Sequence, residues 1–228
     1  MQSAYIDRNL VCLNPTEAIT MDELQAYRII PISMSIPVYG ERLSFFIAGP
    51  PGCGKSTTTA QILSLFPDQI KYLFTDITDS DIAFRGIKFR KVRMDKLETI
   101  TLEKLASEGD CWCVFDDVDK IVDPKISKNL LRLMDNILAN GRRHGDYGNI
   151  NIIITSHSLS DYKRTKYAIE NSNYWVIFPS KTMQLQLSSL LKKDGLQKIE
   201  KEIKKENRLF YHRSSPHFVI TDVLVSLI

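Results

Sequence analysis

The stretch GPPGCGKST, Gly49–Thr57, puts glycines at 49, 52 and 54 directly ahead of a lysine–hydroxyl pair, Lys55 and Ser56. The spacing G-x-x-x-x-G-K-[ST] is one that phosphate chemistry needs. Glycines let backbone N–H groups turn inward around a β-phosphate with no Cβ in the way. Lys55 brings a point charge between the β- and γ-phosphates, and the Ser56 hydroxyl completes the shell of a Mg²⁺ ion. The expected ligands are therefore ATP and Mg²⁺. The segment expected to hold the nucleotide is Gly49, Pro50, Pro51, Gly52, Cys53, Gly54, Lys55, Ser56 and Thr57.

A second group of reactive side chains ends the run CWCVFDD, Cys111–Asp117. An acid at the end of an apolar strand can hold Mg²⁺ through water, the role expected of Asp116. The acid one residue on, Asp117, is placed to polarise an attacking water as general base. Asp119 competes for either role. A tandem acid is dispensable in many kinases and GTPases, whereas hydrolysing motors place a base at this point. The run INIIITSH ends in Thr155, Ser156 and His157. Ser156 and His157 are candidates for a polar sensor of the γ-phosphate. Upstream, NGRRHGDYGN carries Arg142 and Arg143 at the end of a helical pattern. They suit the negative end of a helix dipole, and either is a candidate arginine finger for a neighbouring subunit's nucleotide.

The elements that must position these groups are legible from periodicity. Leu43–Ala48 is a buried strand before the phosphate loop, and Lys55–Leu65 is the helix after it. A helix N-terminus at that point adds its positive pole to the anion site. Further strands are expected at Ile70–Thr75, Gly86–Met94 (at an edge), Cys111–Asp117, Ile150–His157 and Tyr174–Pro179. Helices are expected at Leu102–Ser107, over KNLLRLMDNILANGRR, at Tyr162–Asn171, and from Lys181 to Asn207 with a break at Asp194-Gly195. RLFYHR and HFVITDV read as two closing strands around a Ser214-Ser215-Pro216 turn. Strands apolar along their full length, alternating with helices, point to a doubly wound α/β fold with a mostly parallel sheet. A C-terminal helix and β-hairpin follow. Ligands then belong at the carboxyl ends of the strands. The expected division is an N-terminal segment, residues 1–42, and an ATPase domain, residues 43–228.

Composition narrows the classes. The chain has 228 residues, 43% hydrophobic and 25% charged, enough for one substantial core. No apolar run approaches the ~18 residues a membrane helix needs, so no membrane insertion is expected. The N-terminus lacks a basic segment followed by an apolar one. The four cysteines, Cys12, Cys53, Cys111 and Cys113, do not form a disulfide framework, which points to a reducing, intracellular setting. A net charge of +3 permits nucleic-acid binding without requiring it. DYKRTK sets Lys163, Arg164 and Lys166 beside Tyr162, an interleaving able to track a phosphate backbone. In the later stretch Lys192–Glu206 both signs alternate, as on a solvated helix face.

Four segments stand in order: GPPGCGKST, CWCVFDDVD, GRRHGDYGNINIIITSH and SDYKRTKYAIENSNYWVIFPS. Together they resemble the poxvirus-type DNA-packaging ATPases of the FtsK–HerA superfamily, found in large DNA viruses and virophages. The resemblance covers roughly residues 43–215. It implies a P-loop NTPase fold of the additional-strand type and a homo-oligomeric ring. That ring would drive double-stranded DNA into a capsid at a portal vertex, at a viral assembly site in the host cytoplasm or in the virion. It implies Gly49, Gly54, Lys55 and Ser56 as phosphate loop, Asp116 and Asp117 as metal-binding and catalytic acids, and Ser156 or His157 as sensor. Arg142 or Arg143 falls in the arginine-bearing segment. Asp117 stands where many such motors carry the longer Glu. Two other classes bear on the same loop. A nucleotide or small-molecule kinase needs an arginine-rich lid and leaves the tandem acid and the polar-tipped strand unexplained. A DNA-dependent ATPase of the AAA+ kind predicts a helical lid after the sheet, where this sequence reads as a charged helix and two strands.

Overall fold

In a computed structural model of the chain, the described residues are 2–6, 9–13, 42–76, 81–142, 148–159, 162–197, 200–205, 207–213, 218–221 and 225–227. They fall into two compact units: Gly40–Ser172, and Met1–Tyr39 together with Asn173–Ile228. The chain begins in the second with an antiparallel hairpin, β1 (Gln2–Ile6) and β2 (Asn9–Leu13).

The unit Gly40–Ser172 carries five strands: β3 (Ser44–Ala48), β4 (Ile70–Phe74), β5 (Arg90–Lys91), β6 (Cys111–Phe115) and β7 (Ile150–Ser156). Their order is β3-β7-β6-β4-β5, and every pairing is parallel. The apolar runs account for this, because every residue of β3, β6 and β7 is buried. A strand with no wet face needs cover on both. Aromatic rings fill the layers. Trp112 packs 5.0 Å from Phe66 and 6.2 Å from Phe45, and Phe74 stacks on Phe115 at 4.4 Å. The helices are α1 (Lys55–Ser64), α2 (Leu102–Ala106), α3 (Pro124–Asn140) and α4 (Tyr162–Asn171).

The longest of these, α3, shows how sequence sets a boundary. Asp123 caps its start, accepting from the N–H groups of Lys125 (2.8 Å) and Ile126 (3.0 Å), and Pro124 fills the first turn. Its buried face is Leu130, Leu133, Met134, Ile137 and Leu138, spaced three and four apart. At its far end Arg42 donates to the carbonyls of Ile137 and Leu138, adding a side-chain partner in the last turn, where the Gly141 N–H also meets the Ile137 carbonyl at 2.8 Å. Burial drops the Arg42 pKa to about 10, with the charge of nearby Arg142 adding to the fall.

The second unit continues with β8 (Tyr174–Ile177), α5 (Gln184–Lys193), α6 (Glu200–Ile203), β9 (Leu209–His212), β10 (Phe218–Thr221) and β11 (Val225–Leu227). Here β8, β9, β10 and β11 are joined in order and antiparallel. Arg213 stacks over Trp175 at 4.4 Å and pairs with Asp194 at 2.9 Å. One expectation is corrected. The edge strand foreseen over Gly86–Met94 pairs only at Arg90–Lys91, because its remaining residues form turns and a 3₁₀ segment at Met94–Thr99. The break foreseen at Asp194-Gly195 is present: Gly195 adopts φ +77°, a left-handed conformation that ends α5, and the second piece is Glu200–Ile203.

Candidate functional site

The phosphate loop sits between β3 and α1, as the motif requires. Gly54 caps α1 at φ +105° and Gly52 stands at φ +75°, conformations that glycine adopts without strain. The first turn of α1 holds no acidic side chain to oppose an anion at its positive end. Lys55 is 7% exposed, and its ammonium donates to the carbonyls of Gly49 (3.1 Å) and Pro50 (3.3 Å). The lysine is thus folded over the loop it serves. Burial pushes the Cys53 thiol above its ordinary value, with the Lys55 charge opposing, so Cys53 stays protonated at neutral pH.

Strand β7 lies between β3 and β6, and its tip is tied to both. The Gly49 N–H donates to the Ser156 carbonyl at 3.1 Å. On the other side the Thr155 hydroxyl donates to Asp116 Oδ1 at 2.8 Å and accepts from the Asp117 N–H at 2.8 Å. Asp119 accepts from the His157 N–H through both carboxylate oxygens, at 3.2 and 3.0 Å. Asp117 adopts φ +51°, the one non-glycine residue with positive φ among the described residues. Aspartate tolerates this region better than most side chains. The turn brings its carboxylate to 3.3 Å from His157 Nδ1 and 3.8 Å from Lys120.

The two acids differ in environment. Asp116 is 9% exposed, and burial raises its pKa to about 6; the Thr155 hydrogen bond opposes this, while the charges of Asp117 and Asp81 add to it. A buried carboxylate raised this way is poorly compensated by its own protein and suits a cation. Its carboxylate and the Ser56 hydroxyl are both hard oxygen donors of the kind Mg²⁺ takes. The Asp117 side chain is 15% exposed. Burial pushes the His157 imidazole below its ordinary value; the Asp117 charge opposes this, and the Lys55 and Lys120 charges reinforce it.

The sensor candidates separate. The Ser156 side chain is fully buried, and its hydroxyl donates to the Ser158 carbonyl at 2.9 Å. His157 instead faces Asp117. The tip residue that touches both acids is Thr155, which the sequence reading placed at the strand end without assigning it a role. Phe115 pairs with Ile154 in the folded sheet, which brings Thr155 level with Asp116 at the strand tips. Asp81 has no signal in the sequence. It follows the segment after β4, accepts a hydrogen bond from the Ser56 hydroxyl, and is fixed by the Ala83 N–H at 2.9 Å. It stands as a third carboxylate at the loop.

Arg142 is exposed and follows α3, at the opposite end of β7 from the loop. Seven strand residues separate the two ends, on the order of 20 Å. Its side chain does not reach its own phosphate loop. Arg143 lies outside the described residues, as do the side chains of Lys163 and Arg164; Lys166 is half-buried on α4.

A phosphate loop between β3 and α1, an acidic tip on β6 and an extra strand between them define a P-loop NTPase. The chain belongs to the AAA domain family, dynein-related subfamily, whose family model matches residues 44–171. The match ends where the second unit begins. The fold is that of the genome packaging NTPase B204 from Sulfolobus turreted icosahedral virus 2, solved with sulfate. The TM-score is 0.54 at 11% identity, over 80% of this chain and 96% of that one. It is similar also to the pCW3 conjugation coupling protein TcpA, with a TM-score of 0.51 at 15% identity, over 82% of this chain and 61% of that one. Uncharacterized protein V3 of Sputnik virophage is 29% identical over 149 residues, 63% of this chain. The chain spans 58% of that relative's length.

Proposed function

We propose that this chain is a Mg²⁺-dependent ATPase that moves double-stranded DNA into a viral capsid, working as a homo-oligomeric ring. The observation that carries the reading is β7 inserted between β3 and β6, with Thr155 gripping both acids and Ser156 holding Gly49. A rigid link between the phosphate loop and the acid pair is what a hydrolysing motor needs and a simple nucleotide-binding loop does not. The likeness to a packaging NTPase and a conjugation coupling protein supports the same class, and the virophage relative supports a viral setting at an assembly site or in the virion.

Gly49–Thr57 holds the triphosphate, with Lys55 leaving its carbonyl partners for the β- and γ-phosphates. Ser56 and Asp116 would hold Mg²⁺, with Asp81 beside Ser56, and the ion would supply positive charge to offset that on the phosphate oxygens. Asp117 accepts a proton from water as the water oxygen bonds to the γ-phosphorus. The bond from that phosphorus to the bridging oxygen breaks, and ADP leaves with the electron pair. Both Asp119 oxygens are tied by the His157 N–H at 3.2 and 3.0 Å, while the Asp117 carboxylate is held by the longer contacts of 3.3 Å to His157 Nδ1 and 3.8 Å to Lys120, which favours Asp117 as base. His157, in contact with Asp117, is placed to report the state of the γ-phosphate to β7. Arg142 or Arg143 serves a neighbouring subunit's nucleotide. Among the described residues no helix is long and apolar enough to cross a membrane.

The test is the ATPase rate with and without duplex DNA, beside the oligomer mass in solution. We expect turnover stimulated by duplex and a mass of several subunits, with Lys55→Ala losing turnover. Wild-type turnover in Lys55→Ala, or a monomer indifferent to DNA, overturns the reading.

A further inference from the structure

The segment RGIKFRKVRMDK, Arg85–Lys96, holds six cations and one acid, a net of +5 in a chain whose total is +3. The remaining residues are therefore net −2. Arg85, Lys88, Arg90, Lys91, Arg93 and Lys96 are all exposed. They surround β5, which ends the strand order of its unit, four strand spacings from β3 and so roughly 19 Å from the phosphate-loop strand. A cleft of about 330 Å³ opens here, and Tyr72, Arg90, Lys91, Arg93, Lys96 and Lys104 line it with no carboxylate among its lining residues.

The arrangement is partly pinned. Glu108 holds the Arg90 guanidinium, which also lies 5.9 Å from the Tyr72 ring centre. Asp95 holds Arg93 at 2.7 Å, and Lys104 donates to the Thr99 carbonyl at 2.8 Å. Lys88, Lys91 and Lys96 form no ion pair among the described residues. Charged side chains commonly guard an edge strand against unwanted pairing. One or two suffice for a strand of two residues, and six exceed that need. Nor would a single small anion satisfy cations spread over twelve residues. A long, evenly charged polyanion does, and duplex DNA carries one charge per ~1.7 Å of axis.

We propose that the β5 edge, Arg85 to Lys96, is a surface that binds the phosphate backbone of double-stranded DNA. The proposal rests on the packaging reading and names the face that meets the cargo. It differs from the DYKRTK segment on α4. Binding is independent of base sequence, because exposed Lys and Arg meeting phosphates carry no base readout.

The experiment measures affinity for a labelled 30-base-pair duplex across a salt series. It compares wild type, Lys91→Gln/Lys96→Gln, Lys91→Glu/Lys96→Glu and Lys163→Gln/Lys166→Gln, each checked by thermal melting. For the first double variant we expect roughly tenfold weaker binding and a log–log salt slope reduced by about 2, one unit per lost phosphate contact. The Glu variant falls further, and turnover without DNA stays at the wild-type rate in both. Unchanged affinity and slope in both β5 variants overturn the proposal while leaving the packaging reading standing. Loss confined to the Lys163/Lys166 variant does the same. Stronger displacement of the duplex by poly-L-glutamate than by unlabelled duplex at equal charge replaces DNA with an acidic protein as the occupant. Wild type without salt-dependent duplex binding overturns the reading and the proposal together.

Discussion

Asp116 is the residue whose chemistry is least at ease in the fold. Its carboxyl is raised to about 6, chiefly by burial, where most paired acids in proteins are lowered. The sign of its contribution to stability is accordingly reversed. Between about pH 4 and 6 the folded state holds more protons at this site than the unfolded state, so stability falls as pH rises through that window. Above it the ionised carboxylate costs on the order of 3 kcal/mol at most. Asp116→Asn keeps an acceptor for Thr155 and removes the charge. We expect metal-free Asp116→Asn to melt several degrees above wild type at pH 7.5, with the difference vanishing below pH 4. Mg²⁺ should no longer tighten its nucleotide binding. A melt at or below the wild-type temperature at pH 7.5 contradicts the strain assigned to Asp116.

At the scale of elements, β7 is the part that converts two separate loops into one site. It is fully buried, hydrogen-bonded in parallel on both sides, and ends in a residue that meets both acids. Thr155→Val keeps the shape and β-branching of the side chain and deletes its hydroxyl. That leaves the Asp117 N–H without its acceptor and Asp116 without its donor, at a cost of about 1–3 kcal/mol for the lost pairing. We expect ATP turnover to fall by at least tenfold while nucleotide affinity, set by the loop and Lys55, changes little. Equal losses in both would place Thr155 in the general support of the fold. Ser156, whose hydroxyl is satisfied by Ser158, provides the contrast within the same strand.

For the whole molecule, the decisive fact is that Arg142 and the phosphate loop lie at opposite ends of the same sheet. A single chain cannot bring them together, whereas a head-to-tail ring can, since heterologous contacts close into rings. We expect Arg142→Ala to hydrolyse ATP slowly alone and to regain activity when mixed with Lys55→Ala subunits. In such a mixture an intact arginine from one chain meets an intact loop from the other. A mixture no more active than its components would remove Arg142 as an inter-subunit finger and leave Arg143 as the candidate.

The phosphate loop, the acid-tipped strand and the alternation of apolar strands with helices are all legible in the amino-acid sequence. Each is encoded over a few neighbouring residues: glycine where φ is positive, a continuous apolar run where both faces are buried, a cap where a helix starts. The edge strand is shorter than the alternation over Gly86–Met94 suggests, because periodicity does not register a competing turn, whereas the break at Asp194-Gly195 is legible, because glycine takes the left-handed region without strain. The contacts that complete the candidate site join residues far apart in the chain. Thr155 meets Asp116 and Asp117 across 39 and 38 positions, and Asp81 reaches Ser56 across the segment after β4. Strand order makes those meetings, and strand order is fixed by packing of the entire sheet. No local pattern of residues carries it.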